Sequence, residues 1–406
     1  MSPRSRALAL VVTLCLALAH GFSYAADPGV TATEIKIGNT NPYSGPASVY
    51  GTIGKGIAAY FKKVNDEGGI NGRKINFITL DDGYSPPKTV EMVRRLVEQE
   101  QVLFLFQTLG TPTNTAIWKY MNDQQVPHLF VATGATKWGD PKGHPWTMGW
   151  QPTYQTEGQI YAQYVLKNLP DARIGILYQN DDYGKDYVKG FKDGLGDAAK
   201  KMIVMEQTHE VTDPTIESQI VNLKNSGANV FFNVTIPKFA VQAIKKARDI
   251  GWKPVHLLNN VSNSVGTVLK PAGIDASKDI ISTFYLKDPT DPQWKNDKGF
   301  KDWSAFMQKY YPDGNTADLF NVYAYTVPQT LVHVLKQCGN DLSRANIMRQ
   351  AANIKDLALP MFLPGIKVNT SPTDFYPIEQ LQLARFDGER WVLFGEIFDA
   401  GGKHGM

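Results

Sequence analysis

The sequence predicts an α/β protein of two doubly wound lobes joined by three crossovers, with a ligand cleft between them. Three observations carry this. Apolar strand segments alternate with amphipathic helical segments from Glu34 onward, the alternation restarts after a break at "MGWQPTYQTEG", and the chain closes on a hairpin pattern instead of another βα unit. At 406 residues the chain also exceeds what a single hydrophobic core usually organises.

In chain order, Arg4 and Arg6 precede an apolar run from Ala7 to Ala19, and the small residues Ser23 and Ala25 follow. Residues 1–25 therefore read as a secretory signal peptide, too short in its apolar part to span a bilayer, and a periplasmic location is expected. Leu14 is too bulky before Cys15 for a lipid-attachment site, so Cys15 leaves with the leader and Cys338 has no intrachain partner. "EIKIG" (34–38) reads as the first strand. Ile53, Ile57, Tyr60, Phe61 and Val64 then line one helical face that stops at Gly68 and Gly69. "INFITL" (75–80) is the second strand, and Ser85 and Pro86 suit the start of a helix carrying Val90, Val93 and Val97. "VLFLF" (102–106) is apolar on both faces, as a central parallel strand should be.

After the break, "RIGILY" (173–178), "MIVME" (202–206) and "NVFFNV" (229–234) are strands, with a helix after Tyr183 and another from Pro214 carrying Ile216, Ile220 and Leu223. "QLQLARFDGERWVLFGEIF" (380–398) alternates and turns at Asp387 and Gly388, which predicts a hairpin. Pro360, Pro364, Pro372 and Pro377 before it suggest an extended connection between lobes. The expected division is 26–149 with 285–358 for the N-terminal lobe and 150–284 with 359–406 for the C-terminal lobe, hinged near Trp150, Thr283 and Pro360.

Charge and motif content exclude several classes. The 42 Lys and Arg face 39 Asp and Glu, and losing Arg4 and Arg6 brings the mature chain close to neutral, which argues against nucleic acid or an anionic membrane surface as partner. The seven histidines never fall at the i, i+4 spacing of a helical metal site, and no G-x-S-x-G elbow occurs, so neither a metal, a cofactor nor catalysis is expected. "TGATK" lacks the glycine spacing of a P-loop, and "GTIGKG" has the wrong order for a dinucleotide fingerprint. An anionic head group fits better. "TLGTPTN" (108–114) and "ATGATKW" (132–138) both follow apolar strands, and small residues at such strand ends expose N–H donors. Thr111, Ala135 and Thr136 are the candidate donors; capping of the next helices is the competing explanation for each loop.

"IKIGNTNPYSGPASVYG", "VNDEGGINGRKI", "LDDGYSPPKTVEMVRRLV", "GATKW" and "NDDYGKDYVKGFKDGL", in that order, resemble the leucine/isoleucine/valine-binding family of periplasmic binding proteins of ATP-driven uptake systems. The resemblance runs from about Glu34 to Phe398. It implies a type I periplasmic binding protein fold, a monomer that traps a small molecule by lobe closure, and membrane permease subunits with cytoplasmic ATPases as partners. It also implies ligand contacts at Tyr50, Thr111, Ala135 and Thr136 on the first lobe, and at Tyr183, Thr235 and Asn260 on the second. Trp138, Trp150, Tyr154 and Tyr323 are further candidates for aromatic cleft residues. Two departures matter. The family's amino-acid binders carry an acid at the position of Asn260, where only amides and hydroxyls stand here, and Gly110 replaces a cysteine of the family's disulfide.

Burying an ammonium without a counter-charge is costly. The expected ligand is thus a carboxylate without an α-ammonium, aromatic or aliphatic. The alternative is a branched-chain amino acid whose counter-charge comes from Asp181 or Asp182. A sensory role with the same cleft, and a periplasmic enzyme lacking any visible nucleophile, are the other classes considered.

Overall fold

The computed structural model describes residues 27–400, so the expected signal peptide lies outside the described residues. The first sheet contains β1 (Glu34–Asn41), β2 (Lys74–Asp81), β3 (Phe104–Phe106), β4 (His128–Val131) and β5 (Thr147–Gly149) in the order β2-β1-β3-β4-β5. All its pairings are parallel, from Glu34↔Lys74 to Asn41↔Asp81 between β1 and β2, and Ile37↔Phe104 on the other side of β1. Helices α1 (Gly51–Asp66), α2 (Pro86–Arg94) and α3 (Thr111–Asp123) connect these strands.

The second sheet holds β6 (Ile174–Gln179), β7 (Ile203–His209), β8 (Val230–Val234), β9 (Val255–Leu258), β10 (Ile281–Phe284), β11 (Gln380–Phe386) and β12 (Trp391–Asp399). Its order is β12-β11-β10-β9-β8-β6-β7, so β7-β6-β8-β9-β10 repeats the arrangement of the first sheet. Around it lie α4 (Tyr154–Asn168), α5 (Asp182–Leu195), α6 (Glu217–Asn225) and α7 (Pro237–Asp249). The hairpin β11–β12 is antiparallel, with Phe386 paired to Trp391 across the turn at Asp387 and Gly388. Helix α6 begins at Glu217 and not at Pro214, because the chain before it stays extended or turned.

Three passages link the sheets. The chain leaves the first sheet after β5 and returns after β10 to form α8 (Lys298–Tyr310), α9 (Leu319–Gln337) and α10 (Arg344–Ala351), of which α8 and α9 pack on α1. It then passes back through the proline-rich segment to β11, and Leu286 of the second passage bridges to Phe362 of the third. Trp150 sits in the first passage, fully buried, its indole N–H 3.0 Å from the Thr330 hydroxyl and its ring edge-on to Tyr323 at 5.2 Å.

Helices α4 and α5 touch backbone to backbone. A Cβ at Gly190 would stand 2.2 Å from the Gln155 carbonyl oxygen, and one at Gly158 would stand 2.6 Å from the Phe191 nitrogen. Cys338 is free and buried. Among the described residues no helix is long and apolar enough to cross a membrane.

Candidate functional site

A cavity lies between the two sheets, at the carboxyl ends of their strands. In each sheet the strand order reverses beside the first strand, β1 or β6, which is where open α/β sheets leave a crevice. The first lobe supplies Tyr50 before α1, Tyr84 after β2, Leu109, Gly110 and Thr111 after β3, and Ala132 after β4. The second supplies Tyr183 after β6, Ile236 after β8, and Asn260, Val261 and Asn263 after β9. Gln151 and Tyr285 come from the passages, Tyr154 from the start of α4, and Phe320 and Tyr323 from the first turns of α9.

The lining holds six tyrosines and two phenylalanines and no Asp, Glu, Lys, Arg or His. It is therefore an aromatic container with a few uncharged polar points, the usual composition of a small-molecule site. The Tyr50 hydroxyl crosses the cleft to the Val261 carbonyl at 2.8 Å. Tyr154 stacks on Tyr187 at 4.3 Å and meets Tyr183 edge-on at 5.4 Å. The Tyr183 hydroxyl bonds the Asn259 side chain, whose amide group in the orientation that satisfies both ends donates to the carbonyls of Asn233 and Thr235 at 3.2 Å each. Burial pushes the Tyr50, Tyr84 and Tyr183 hydroxyls well above the ordinary tyrosine pKa, so they face the cavity neutral.

Helix α3 opens towards the cavity. Its N-cap is Gly110 at φ 104°, Pro112 stands in the first turn, and no side chain caps it. The Thr111 hydroxyl pairs with that of Thr133 at 2.6 Å. The first-turn N–H groups of an uncapped helix are donors with a partial positive charge behind them.

Beneath the floor, Glu157 of α4 is 1% exposed. One of its oxygens accepts the Tyr161 hydroxyl and the Asn260 N–H, both at 2.8 Å, and the other accepts the Tyr187 hydroxyl at 2.6 Å. Among the described residues no cation answers it, and burial pushes its carboxyl up to about 7 against the hydrogen bonds that favour the charged form.

Of the residues expected at the site, the structure gathers Tyr50, Thr111, Tyr183, Asn260, Tyr154 and Tyr323 around one cavity. The others lie elsewhere. Thr136 does not line the cavity, and its backbone N–H and hydroxyl both donate to one Asp186 oxygen, at 2.8 and 2.9 Å. The donors expected to hold a ligand carboxylate thus hold a carboxylate of the opposite lobe, while Gln155 donates to the other Asp186 oxygen at 2.6 Å. Burial raises the Asp186 carboxyl above its usual range. Ala135 is buried beside it, outside the lining. Thr235 is also outside, its hydroxyl turned back to the Asn233 side chain at 2.7 Å. Trp138 packs edge-on against Trp118 at 5.2 Å, and Trp150 stands behind Tyr323. Asp181 caps α5 through the N–H groups of Tyr183 and Gly184, and Asp182 pairs with Lys137 across the rim at 2.6 Å. Sequence reading missed Tyr84, Phe284, Tyr285 and Phe320. Only Tyr84 carried a signal, since it closes the "DDGY" turn that follows the second strand.

The Thr136–Asp186 contact joins the lobes directly, so Asp186→Ala is expected to weaken the closed form. The loss of a charge-assisted pair of hydrogen bonds should lower ligand affinity about tenfold, or about 1.4 kcal/mol. If Thr136 acts through Asp186, the double variant Thr136→Ala/Asp186→Ala should bind no worse than the weaker single one in calorimetry. Additive losses would place Thr136 on the ligand instead.

Residues 34–390 match the periplasmic binding protein family. Leu/Ile/Val-binding protein homolog 1 of Brucella abortus (strain 2308) is 27% identical over 340 residues, which cover 81% of this chain and 84% of that protein. A branched chain amino acid ABC transporter from Thermus thermophilus with bound valine has a similar structure, with a TM-score of 0.81 at 15% identity, covering 92% of this chain and 98% of that one. A solute binding protein of an ABC transporter from Rhodopseudomonas palustris BisB5, in complex with 3,4-dihydroxy benzoic acid, gives a TM-score of 0.75 at 18% identity, covering 90% and 98%. With twin α/β lobes closed on a cavity and a match spanning nearly all of the described residues, the chain belongs to the periplasmic binding protein family, in its type I, leucine/isoleucine/valine-binding branch.

Proposed function

We propose that this protein is the periplasmic solute-binding component of an ABC importer and that it captures a small carboxylate, aromatic or aliphatic, that lacks an α-ammonium. The observation that carries this reading is the lining: eight aromatic rings and no ionised side chain. An ammonium entering such a cavity would lose its hydration without gaining a counter-charge. A carboxylate would keep hydrogen bonds, from the uncapped first turn of α3 and from the Thr111–Thr133 hydroxyl pair, while rings of Tyr50, Tyr154 and Phe320 cover its apolar body. The 3,4-dihydroxy benzoic acid in the Rhodopseudomonas relative's structure supports an aromatic acid as the type.

Capture is a population shift and not a reaction. The two lobes rotate about the three passages, and ligand favours the closed form because Tyr183 and Asn260 reach it only then. The permease reads that closed form.

The bound valine of the Thermus relative and the name of the Brucella relative favour the alternative, a branched-chain amino acid. That reading needs an acid at the ammonium, and neither Asp181 nor Asp182 lines the cavity. The test is thermal denaturation of the purified protein with benzoate, a phenylpropenoic acid and leucine. An acid at one hundred times its dissociation constant should stabilise by about 2.7 kcal/mol while leucine does little. Stabilisation by leucine alone would sink the proposal.

A further inference from the structure

We propose that Tyr84 is a specificity-determining residue, whose ring, locked beside the expected head-group position by a left-handed backbone, admits acids whose α-carbon is planar or a CH2 group and excludes those whose tetrahedral α-carbon carries a further substituent. This rests on the reading of the cavity given above and deepens it.

Tyr84 has φ 61°, a conformation that bulky residues rarely adopt. It follows Gly83 at φ 58°, so two successive residues are left-handed between β2 and α2. Asp82, fully buried, is committed to holding this turn: it accepts the Tyr84 N–H at 2.9 Å and the Thr89 hydroxyl at 2.9 Å. A turn needed only to reverse the chain would be more comfortable with glycine or asparagine at this position. Strain kept at a large ring, and supported by a dedicated buried side chain, points to a use for the ring.

The surroundings say what that use is. A Cβ at Gly110 would stand 2.5 Å from Tyr84 Cε2 and 3.0 Å from Cζ, so the ring lies against the backbone of the α3 N-cap. The same Gly110 and Thr111 line the cavity at the uncapped helix end. Across the cleft, Gln179 and Asp181 of the second lobe are close enough to influence the Tyr84 hydroxyl. A carboxylate seated on the first turn of α3 therefore has the Tyr84 ring beside its α-carbon. A hydrogen there fits against the ring; a methyl, hydroxyl or ammonium group would collide with it.

The experiment compares phenylacetate, 2-phenylpropionate, mandelate and phenylalanine by calorimetry on the parent protein, Tyr84→Phe and Tyr84→Gly. Glycine suits the left-handed backbone, which offsets part of the cost of deleting a buried ring, and the melting temperature of each variant is measured alongside its affinities. The parent should prefer phenylacetate over the α-substituted acids by at least about tenfold. Tyr84→Phe should keep that ratio, and Tyr84→Gly should reduce it by about tenfold or more. Acids that bind with an unchanged ratio in a folded Tyr84→Gly would reduce Tyr84 to a turn residue and leave the carboxylate reading standing. Tight binding of phenylalanine to the parent would overturn both, as would failure of every acid to bind either protein.

Discussion

Gly190→Ala is expected to destabilise the protein by about 3 kcal/mol or more and to abolish ligand binding. The added methyl would meet the Gln155 carbonyl oxygen at 2.2 Å and the Gln155 Cα at 2.3 Å. Both are backbone atoms, so no side chain can turn aside, and α4 and α5 must separate. Overpacking usually costs about 1 to 3 kcal/mol, and a collision with main chain belongs at the top of that range or beyond it. Tyr154, Tyr187 and Glu157 all lie at this helix contact, so separation would also dismantle one wall of the cavity and its underlying network. Urea denaturation and calorimetry check both halves. A variant that unfolds within about 0.5 kcal/mol of the parent and still binds would show that the helices have slack.

Glu157→Gln is expected to remove a large share of the pH dependence of stability. The network under the cavity explains why. The Tyr161 hydroxyl lies 2.8 Å from Glu157 Oε1 and 2.7 Å from the Leu258 carbonyl, yet it has one proton to give. If Glu157 is protonated it can donate to the Tyr161 oxygen, and the Tyr161 hydroxyl is then free for Leu258, so every group is satisfied. If Glu157 is ionised, one acceptor goes without and a buried charge has no cation nearby.

The folded carboxyl thus titrates near 7, above its unfolded value of 4.5. In that window the native state holds more protons than the unfolded one, so stability is fully present below pH 4.5 and is lost as pH rises towards 7. The shift corresponds to something on the order of 3 kcal/mol. Burial likewise raises Asp288 and Asp318 to about 6, so the parent's total slope is shared. The difference between parent and Glu157→Gln isolates the one group. Parallel pH profiles for the two proteins would mean that Glu157 is ionised in the fold.

The fold was largely legible because its signals are local. Apolar periodicity marked "EIKIG", "VLFLF" and "NVFFNV" as strands, and Asp387–Gly388 marked the hairpin, since each depends on neighbours within a few residues. The site was legible only in part. Loops at strand ends led to Thr111, because sheet topology places such loops together, while Tyr183 and Asn260 came from the family resemblance. The same logic failed for Thr136, whose partner Asp186 comes from the other lobe, 50 residues along the chain; no spacing rule reports such a pair. Trp138 and Trp150 mislead for a different reason. Large rings fill cores as readily as clefts, and only packing decides which. Phe284 ends β10 and Tyr285 opens the passage after it, and both escaped notice because the strand period stops there and no longer fixes the side-chain direction.

The glycine contact between α4 and α5 has a mechanical corollary. Two helices whose main chains meet at Gly158 and Gly190 cannot shear without breaking contact, so the second lobe should swing as a single stiff lever from its attachment at Tyr154. Spin labels placed on α4 and α5 should keep a fixed separation as ligand is added, while a pair spanning α5 and α3 records the whole stroke. The only native thiol among the described residues, Cys338, is buried and so leaves such labelling with little background.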